Sequence, residues 1–131
     1  MIHVSCAIIL HKGKVLVCQR SPKMSLALKW EFPGGKIEED ESKEQCLKRE
    51  IKEELGLGVQ IHEALPSTTH HYPDFSITLY PFICKIVSGE AQPFEHSTLE
   101  WSTFSDLLKY DWAEADIPIV HMILKHGNWN I

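Results

Sequence analysis

The chain has 131 residues, 44% of them hydrophobic and 24% charged, which suits one domain (residues 1–131) with a real core. Its formal net charge of −5 argues against a surface for polymeric nucleic acid and leaves room for a small polyphosphate if metal ions neutralise an acidic pocket. No apolar run approaches the roughly 18 residues of a membrane span, and no basic-then-apolar signal segment opens the chain, so a cytoplasmic location without a membrane partner is expected.

Residues 2–10 alternate, with Ile2, Val4, Cys6, Ile8 and Leu10 on one side, and predict a strand. His11-Lys12-Gly13-Lys14 turns it back as a hairpin into Val15-Leu16-Val17-Cys18. Residues 21–29 read as a loop, and Lys29-Trp30-Glu31-Phe32 as a short extended piece ended by Pro33-Gly34-Gly35. After a helix in the forties, residues 58–72 and 76–87 predict two longer strands joined at Tyr72-Pro73-Asp74. Leu99 to Thr103 is a further short strand. Residues 104–110 and 115–126 suggest helices, the second with Ile119 and Ile123 facing inward. The result is a mixed β-sheet with helices on both faces, an α/β/α sandwich. The four cysteines form no CxxC pair, so reduced thiols and no zinc site are expected.

The helix carries most of the information. Ser42 followed three residues later by Gln45 is a capping-box signature that starts the helix at Lys43, and Gly56 suits the left-handed residue past its end. At about 100° per residue, Leu47, Ile51 and Leu55 form one apolar stripe. Glu50, Glu53 and Glu54 fall on an adjacent arc with Arg49 at its border. Like charges at these spacings repel by a few tenths of a kcal/mol per pair, so mixed signs would serve stability better than this cluster. Three clustered carboxylates make more sense as oxygen ligands for a hard divalent cation such as Mg2+ or Mn2+.

The run Gly35 to Leu57, GKIEEDESKEQCLKREIKEELGL, resembles the Nudix box, Gly-x5-Glu-x7-Arg-Glu-U-x-Glu-Glu-x-Gly-U with U a bulky aliphatic, and fills every defined position. The similarity extends to the MutT-like branch of that family. Trp30-Glu31-Phe32-Pro33-Gly34-Gly35-Lys36 resembles its lead-in. Glu95-His96-Ser97-Thr98-Leu99-Glu100-Trp101 is similar to a later loop and strand from which an acidic residue reaches the metal site. Ala115-Asp116-Ile117-Pro118-Ile119 is similar to the start of the final helix, where the family places a base-reading side chain. The resemblance also supports the sandwich fold.

The resemblance implies metal-dependent hydrolysis of a nucleoside diphosphate linked to another group. It carries over Glu50, Glu53 and Glu54 as metal ligands, Glu95 as an acid at the metal, and Glu50 or Glu95 as the base. The backbone carbonyl of Gly34 or Gly35 is a further candidate ligand, since a glycine loop lets the chain approach a metal closely. Arg49 is placed to orient one of the carboxylates, and Glu41 to fix the loop. Arg20 is either a phosphate or sugar contact or a surface charge, and Lys36 is read as a phosphate contact. Phe32, Tyr72 and Phe75 either stack on a base or belong to the core. His70 and His71 point to opposite faces of a strand and share no ligand role. Cys46 is read as a small packing residue. Trp129, in the terminal Asn128-Trp129-Asn130-Ile131, either covers a partner subunit or folds back; monomer and homodimer both stay open.

The expected function is a MutT-type nucleoside triphosphate pyrophosphohydrolase that removes an oxidised purine such as 8-oxo-dGTP. A CTP or modified-cytidine pyrophosphohydrolase is the alternative, and a non-catalytic nucleotide-sensing module is the alternative of another class. Asp116 is the departure that bears on the base. The branch is expected to carry asparagine there, which both donates and accepts, whereas an ionised aspartate only accepts.

Overall fold

The computed structural model describes residues 1–127 and 129–131. Strands β1 (Ile2–His11) and β2 (Lys14–Gln19) are joined through Lys12 and Gly13, whose φ values of 51° and 77° are the left-handed pair that two-residue hairpins favour. Two short strands, β3 (Trp30–Glu31) and β4 (Gly34–Lys36), lead into helix α1 (Lys43–Leu55). Strands β5 (Gly58–Ala64), β6 (Thr68–His71), β7 (Ser76–Ser88) and β8 (Thr98–Ser102) follow. Two 3-10 turns, Phe104–Lys109 and Glu114–Asp116, precede helix α2 (Ile117–His126).

Among the described residues the strands form one mixed sheet along the path β3-β2-β1-β7-β5, with β4 beside β1, β6 beside β7 and β8 beside β2. The β1–β7 pairing is parallel, from Ile2↔Ile77 to Leu10↔Lys85. The hairpin strands stay paired only at Leu10↔Val15 and His11↔Lys14 and then part. The first half of β1 takes β4 as its neighbour, and the far end of β2 takes β3. Phe32 and Pro33 span this fork, where the Pro33 carbonyl accepts the Ala7 N–H at 2.8 Å. The sequence segment from Trp30 to Lys36 is thereby wedged between the two opening strands.

Alternation along β1 sends Cys6, Ile8 and Leu10 into one core and Ala7 and Ile9 into the other. Leu47, Ile51 and Leu55 of α1 close the second core, as the helical stripe predicts, and Ile119, Val120 and Ile123 of α2 close the first. Each such aliphatic side chain, fully buried, stabilises the fold by roughly 1.5–3 kcal/mol relative to exposure. The sandwich expected from the sequence is the fold observed. The four cysteines are free and buried. Among the described residues no helix is long and apolar enough to cross a membrane.

The boundaries differ in four places, the first being Gly34 and Gly35, expected to end the extended piece but forming strand β4 with Lys36 against β1. The strand expected over 58–72 is two strands, broken at Leu65-Pro66-Ser67, and both pair with β7. Pro66 has no N–H to give a ladder, so the break falls there. The helix expected over 104–110 is a 3-10 turn, and the last helix starts at Ile117 after a 3-10 turn instead of at 115. The C-terminal Trp129 folds back: it is buried, stacks on His126 at 3.7 Å and donates its indole N–H to Glu63 at 2.8 Å. The tail reading at Asn128 lies outside the described residues.

Both ends of α1 are capped as the sequence dictates. The Ser42 hydroxyl accepts the Gln45 N–H at 3.0 Å while the Gln45 side chain accepts the Ser42 N–H at 2.8 Å, and Gly56 closes the helix at φ 71°. Ser42→Ala is therefore expected to lower the unfolding free energy by about 1 kcal/mol, measured by urea titration. An unchanged midpoint would mean that the cap contributes nothing to the helix.

Candidate active site

Arg49 organises the carboxylates of α1. Its guanidinium grips Glu41 with two bonds, Nε to Oε2 at 3.0 Å and Nη2 to Oε1 at 2.7 Å. Nη1 donates to Glu50 at 2.8 Å and to Glu53 at 3.3 Å, and Nη2 also reaches the Lys36 carbonyl at 3.3 Å. Glu41 in turn accepts the Glu38 N–H at 2.9 Å, closing the loop before the helix. Arg49 thus orients two of the candidate ligands and the loop-fixing Glu41 at once.

Strand β4 lies between β1 and α1 with no room for side chains at two positions. A Cβ on Gly34 would overlap the Ser5 carbonyl, and one on Gly35 would overlap the Glu50 carboxyl. Gly34 also donates its N–H to Glu54 at 3.2 Å. Cys46 packs beneath, its thiol on the carbonyls of Gly35 and Lys36 at 3.4 and 3.3 Å. Burial pushes that thiol up to about 11, which fits a packing role.

The charges around α1 are poorly balanced. Burial, then the charges of Glu31, Glu50 and Glu95, push Glu54 up to about 9. Glu50 is raised as well, mainly by burial, with Arg49 opposing and Glu53 and Glu95 adding to the rise. Glu95, in the loop before β8, is exposed, and its charge is felt by both. Among the described residues no three acidic, histidine or cysteine groups stand preassembled as a metal site. The donor set nonetheless fits a hard divalent cation: carboxylate oxygens, partly desolvated, with an excess of negative charge that Arg49 alone does not cancel.

Beside this arc opens a cavity of about 510 Å³, and all six residues predicted to meet substrate line it: Arg20, Phe32, Lys36, Tyr72, Phe75 and Asp116. Tyr72 and Phe75 stack at 4.9 Å, and the Tyr72 hydroxyl accepts the Ala115 N–H at 3.0 Å. Phe32 lies against Trp112 at 4.7 Å and belongs to the core as well as to the wall. The bridge between Trp30 and Trp112 ties the segment before α2 to the fork and brings Asp116 to Phe32, whose N–H it accepts at 3.1 Å. Asp116 is buried, and burial followed by the Glu31 charge raises its carboxyl well above the usual range. Gly35 lines the cavity too, so the glycine strand separates cavity from carboxylates.

Two polar residues went unnoticed in the sequence. Glu31 lines the cavity, takes Arg20 Nη1 at 2.7 Å on one oxygen and meets His96 Nε2 at 2.9 Å with the other. Their only sequence signal is adjacency to motif residues, Glu31 inside the lead-in and His96 beside Glu95. His70 and His71 do diverge, the first to Glu114 at 3.1 Å and the second to Ser76 at 2.6 Å.

Residues 4–122 match the family profile of the NUDIX domain. The chain is 38% identical over 124 residues to a CTP pyrophosphohydrolase of Escherichia coli (strain K12), covering 95% of this chain and 92% of that protein. It is 32% identical over 108 residues to the 8-oxo-dGTP diphosphatase of the same strain, covering 82% and 84%. The solution structure of a protein titled DNA mismatch repair protein MutT, from methicillin-resistant Staphylococcus aureus 252, superposes with a TM-score of 0.78 at 40% identity, covering 96% of this chain and 97% of that one.

The Arg49–Glu41 pairing has a pH signature. The Arg49 hydrogen bonds, helped by the Glu38 N–H, hold Glu41 down at about 2, below the ordinary 4.5. Its stabilising contribution is thus full above the unfolded value and is lost as pH falls toward 2. Glu41→Gln is expected to lower the melting temperature at about pH 6 and to match the parent near about pH 2. A difference that is constant across that range would rule the pairing out as its source.

Proposed function

Because the chain belongs to the NUDIX domain family of hydrolases, we propose that residues 1–131 act as one domain that is a Mg2+-dependent nucleoside triphosphate pyrophosphohydrolase, Mn2+ being able to substitute. The products are the nucleoside monophosphate and pyrophosphate, and the favoured substrate is an oxidised purine nucleotide such as 8-oxo-dGTP, which would make the role nucleotide-pool sanitation. One observation carries this reading: a nucleoside-sized cavity and an acidic helix face meet across a single glycine strand. The cavity wall, largely apolar with polar groups from Arg20, Ser25, Glu31, Lys36, Tyr72 and Asp116, suits a base and sugar, and the helix suits the metal-bound phosphates.

In this reading Glu50, Glu53, Glu54 and Glu95, with a Gly34 or Gly35 carbonyl, hold the cation. When bound, such a cation polarises phosphate oxygens and acidifies water. The protein's own groups do the rest. Arg49 holds Glu50 at 2.8 Å in a fixed rotamer, and Gly34 N–H steadies Glu54. Glu50 or Glu95 takes the proton of the attacking water. Lys36 lines the cavity and its carbonyl accepts from Arg49 Nη2, which supports its reading as a phosphate contact.

Asp116 supports the guanine-type reading. With its carboxyl raised and one oxygen already accepting the Phe32 N–H, the protonated form can donate from the other, as asparagine would. An ionised carboxylate can take the N7 proton of 8-oxoguanine or the amino group of cytosine, but it would repel guanine O6. That possibility, with the similarity to a CTP pyrophosphohydrolase, supports CTP or a modified cytidine triphosphate as the second reading.

Pyrophosphate release across a nucleotide panel with Mg2+ tests the activity, with Glu53→Gln and Glu54→Gln as controls. Both variants are expected to lose turnover while keeping the fold, and metal-free Glu54→Gln to be at least as stable as the parent, since the cost of burying an acid among other acids, which pushes Glu54 up to about 9, is removed. Binding of nucleotides without turnover would identify a sensing module instead. Asp116→Asn keeps a donor and an acceptor but abolishes the ionised form. The ratio of kcat/KM for 8-oxo-dGTP over CTP is expected to rise at least about tenfold, or 1.4 kcal/mol, where the parent reads the base with the ionised form, and to stay near the parent's where it reads it with the protonated form. Asp116→Leu, with neither donor nor acceptor, is expected to shift that ratio at least about tenfold in either case, and a ratio unchanged in both variants would leave Asp116 as a residue that only secures Phe32.

A further inference from the structure

His96 is an unusual histidine for its position. Its side chain is wholly buried, and its Nε2 makes a 2.9 Å contact with Glu31 Oε2. Its other ring nitrogen, Nδ1, has no hydrogen-bond partner among the described residues. Leaving a buried polar atom unpaired costs folding free energy, and a phenyl ring would fill similar space without that cost. Stability therefore does not account for a histidine here; the contact with Glu31 does. A carboxylate only accepts, so Nε2–H is the donor.

Glu31 is held at both oxygens by groups distant in sequence, His96 on Oε2 and Arg20 Nη1 on Oε1 at 2.7 Å. Arg20 is pinned again by Ser25, through Nε to its carbonyl at 2.6 Å and Nη2 to its hydroxyl at 3.2 Å. Arg20, Ser25 and Glu31 all line the cavity, whereas His96 is behind the wall and does not. The side chains of Arg20 and Glu31 are only 19% and 17% exposed, so their placement is set by these contacts more than by solvent.

We propose that His96 is a positioning residue that fixes Glu31, and through it Arg20, as a rigid donor-and-acceptor patch for the nucleoside part of the substrate. The inference rests on the triphosphate reading above. The patch carries one positive and one negative charge, so it matches a sugar hydroxyl or a base edge better than a phosphate, which Glu31 would repel. His96 thus acts on binding and not on bond cleavage. Removing it leaves the α1 carboxylates and Arg49 untouched, since none of their hydrogen bonds involves it.

The test is steady-state kinetics on the best triphosphate, with melting temperature as the fold check. His96→Phe is expected to raise KM at least about tenfold with kcat within about threefold, the signature of lost uniform binding. His96→Gln, whose amide N–H can reach the Nε2 position, is expected to restore a KM near the parent's, and the shorter His96→Asn to fail. Glu31→Gln alone and Glu31→Gln with His96→Phe are expected to share one KM, because His96 acts only through Glu31. Folded His96→Phe with an unmoved KM, or additive effects in the double variant, would overturn the proposal. If His96→Phe does not fold, equal KM values for the Gln and Asn variants would overturn it. Silence of the parent across the whole panel overturns the triphosphate reading and this inference with it, whereas an active parent with unmoved variants overturns this inference alone.

Discussion

Two glycines with no space for a Cβ set the geometry on which the rest of the site depends. Gly34 lies on the Ser5 carbonyl of β1, and Gly35 lies under the Glu50 carboxyl of α1. The strand they form is therefore as thin as a polypeptide can be, and α1 packs directly over it. A side chain at Gly34 would force β4 away from the β1 backbone, and one at Gly35 would displace the Glu50 carboxyl from its place over the strand. The fork between β1 and β2 makes room for this strand, and the capping box and Gly56 fix how far α1 extends over it. Backbone sterics thus determine the distance between the two halves of the site.

Charge is the second constraint. Glu41, Glu50 and Glu53 share one guanidinium, while among the described residues Glu54 accepts from the Gly34 N–H alone and Glu31 meets both Arg20 and His96. Folding stability alone does not call for so many acids around so few cations. The upward shift of Glu54 reflects burial and uncancelled repulsion. A bound divalent cation would reverse that repulsion, so the unfavourable arrangement of the free protein becomes favourable when the proposed ligand arrives.

The features legible in the sequence were those encoded within one or two turns of chain. The capping box, the Leu47-Ile51-Leu55 stripe, the Gly56 cap and the arc of three glutamates all follow from spacing, and the structure places them as expected. Strand β1 was legible because alternation over ten residues buries both faces in different cores. Three kinds of feature were not. The break at Pro66 was masked by apolar and β-branched residues on both sides, and the 3-10 character of 104–109 depends on tertiary packing that periodicity does not carry. The Glu31–His96 contact spans 65 residues and joins two polar side chains with no shared pattern. The six cavity residues are nevertheless legible, Arg20, Phe32, Lys36 and Asp116 through the family resemblance and Tyr72 and Phe75 through their aromatic character, and all six line the cavity.

The same wall explains how base choice can change without disturbing the proposed chemistry. Asp116, Tyr72 and Phe75 are supplied by the start of α2 and by the β6–β7 connection, whereas Glu50, Glu53 and Glu54 belong to α1. The two groups are attached to opposite faces of the sheet and meet only across the glycine strand. Substitutions around Asp116 can therefore alter which hydrogen bonds the base finds while the helix and its Arg49 network keep their geometry. His96 and Glu31 stand at the junction of the two regions, since Glu31 lines the cavity and its charge also reaches Glu54. A buried histidine whose Nδ1 has no partner among the described residues is the cost at which Glu31 gains its second anchor at that junction.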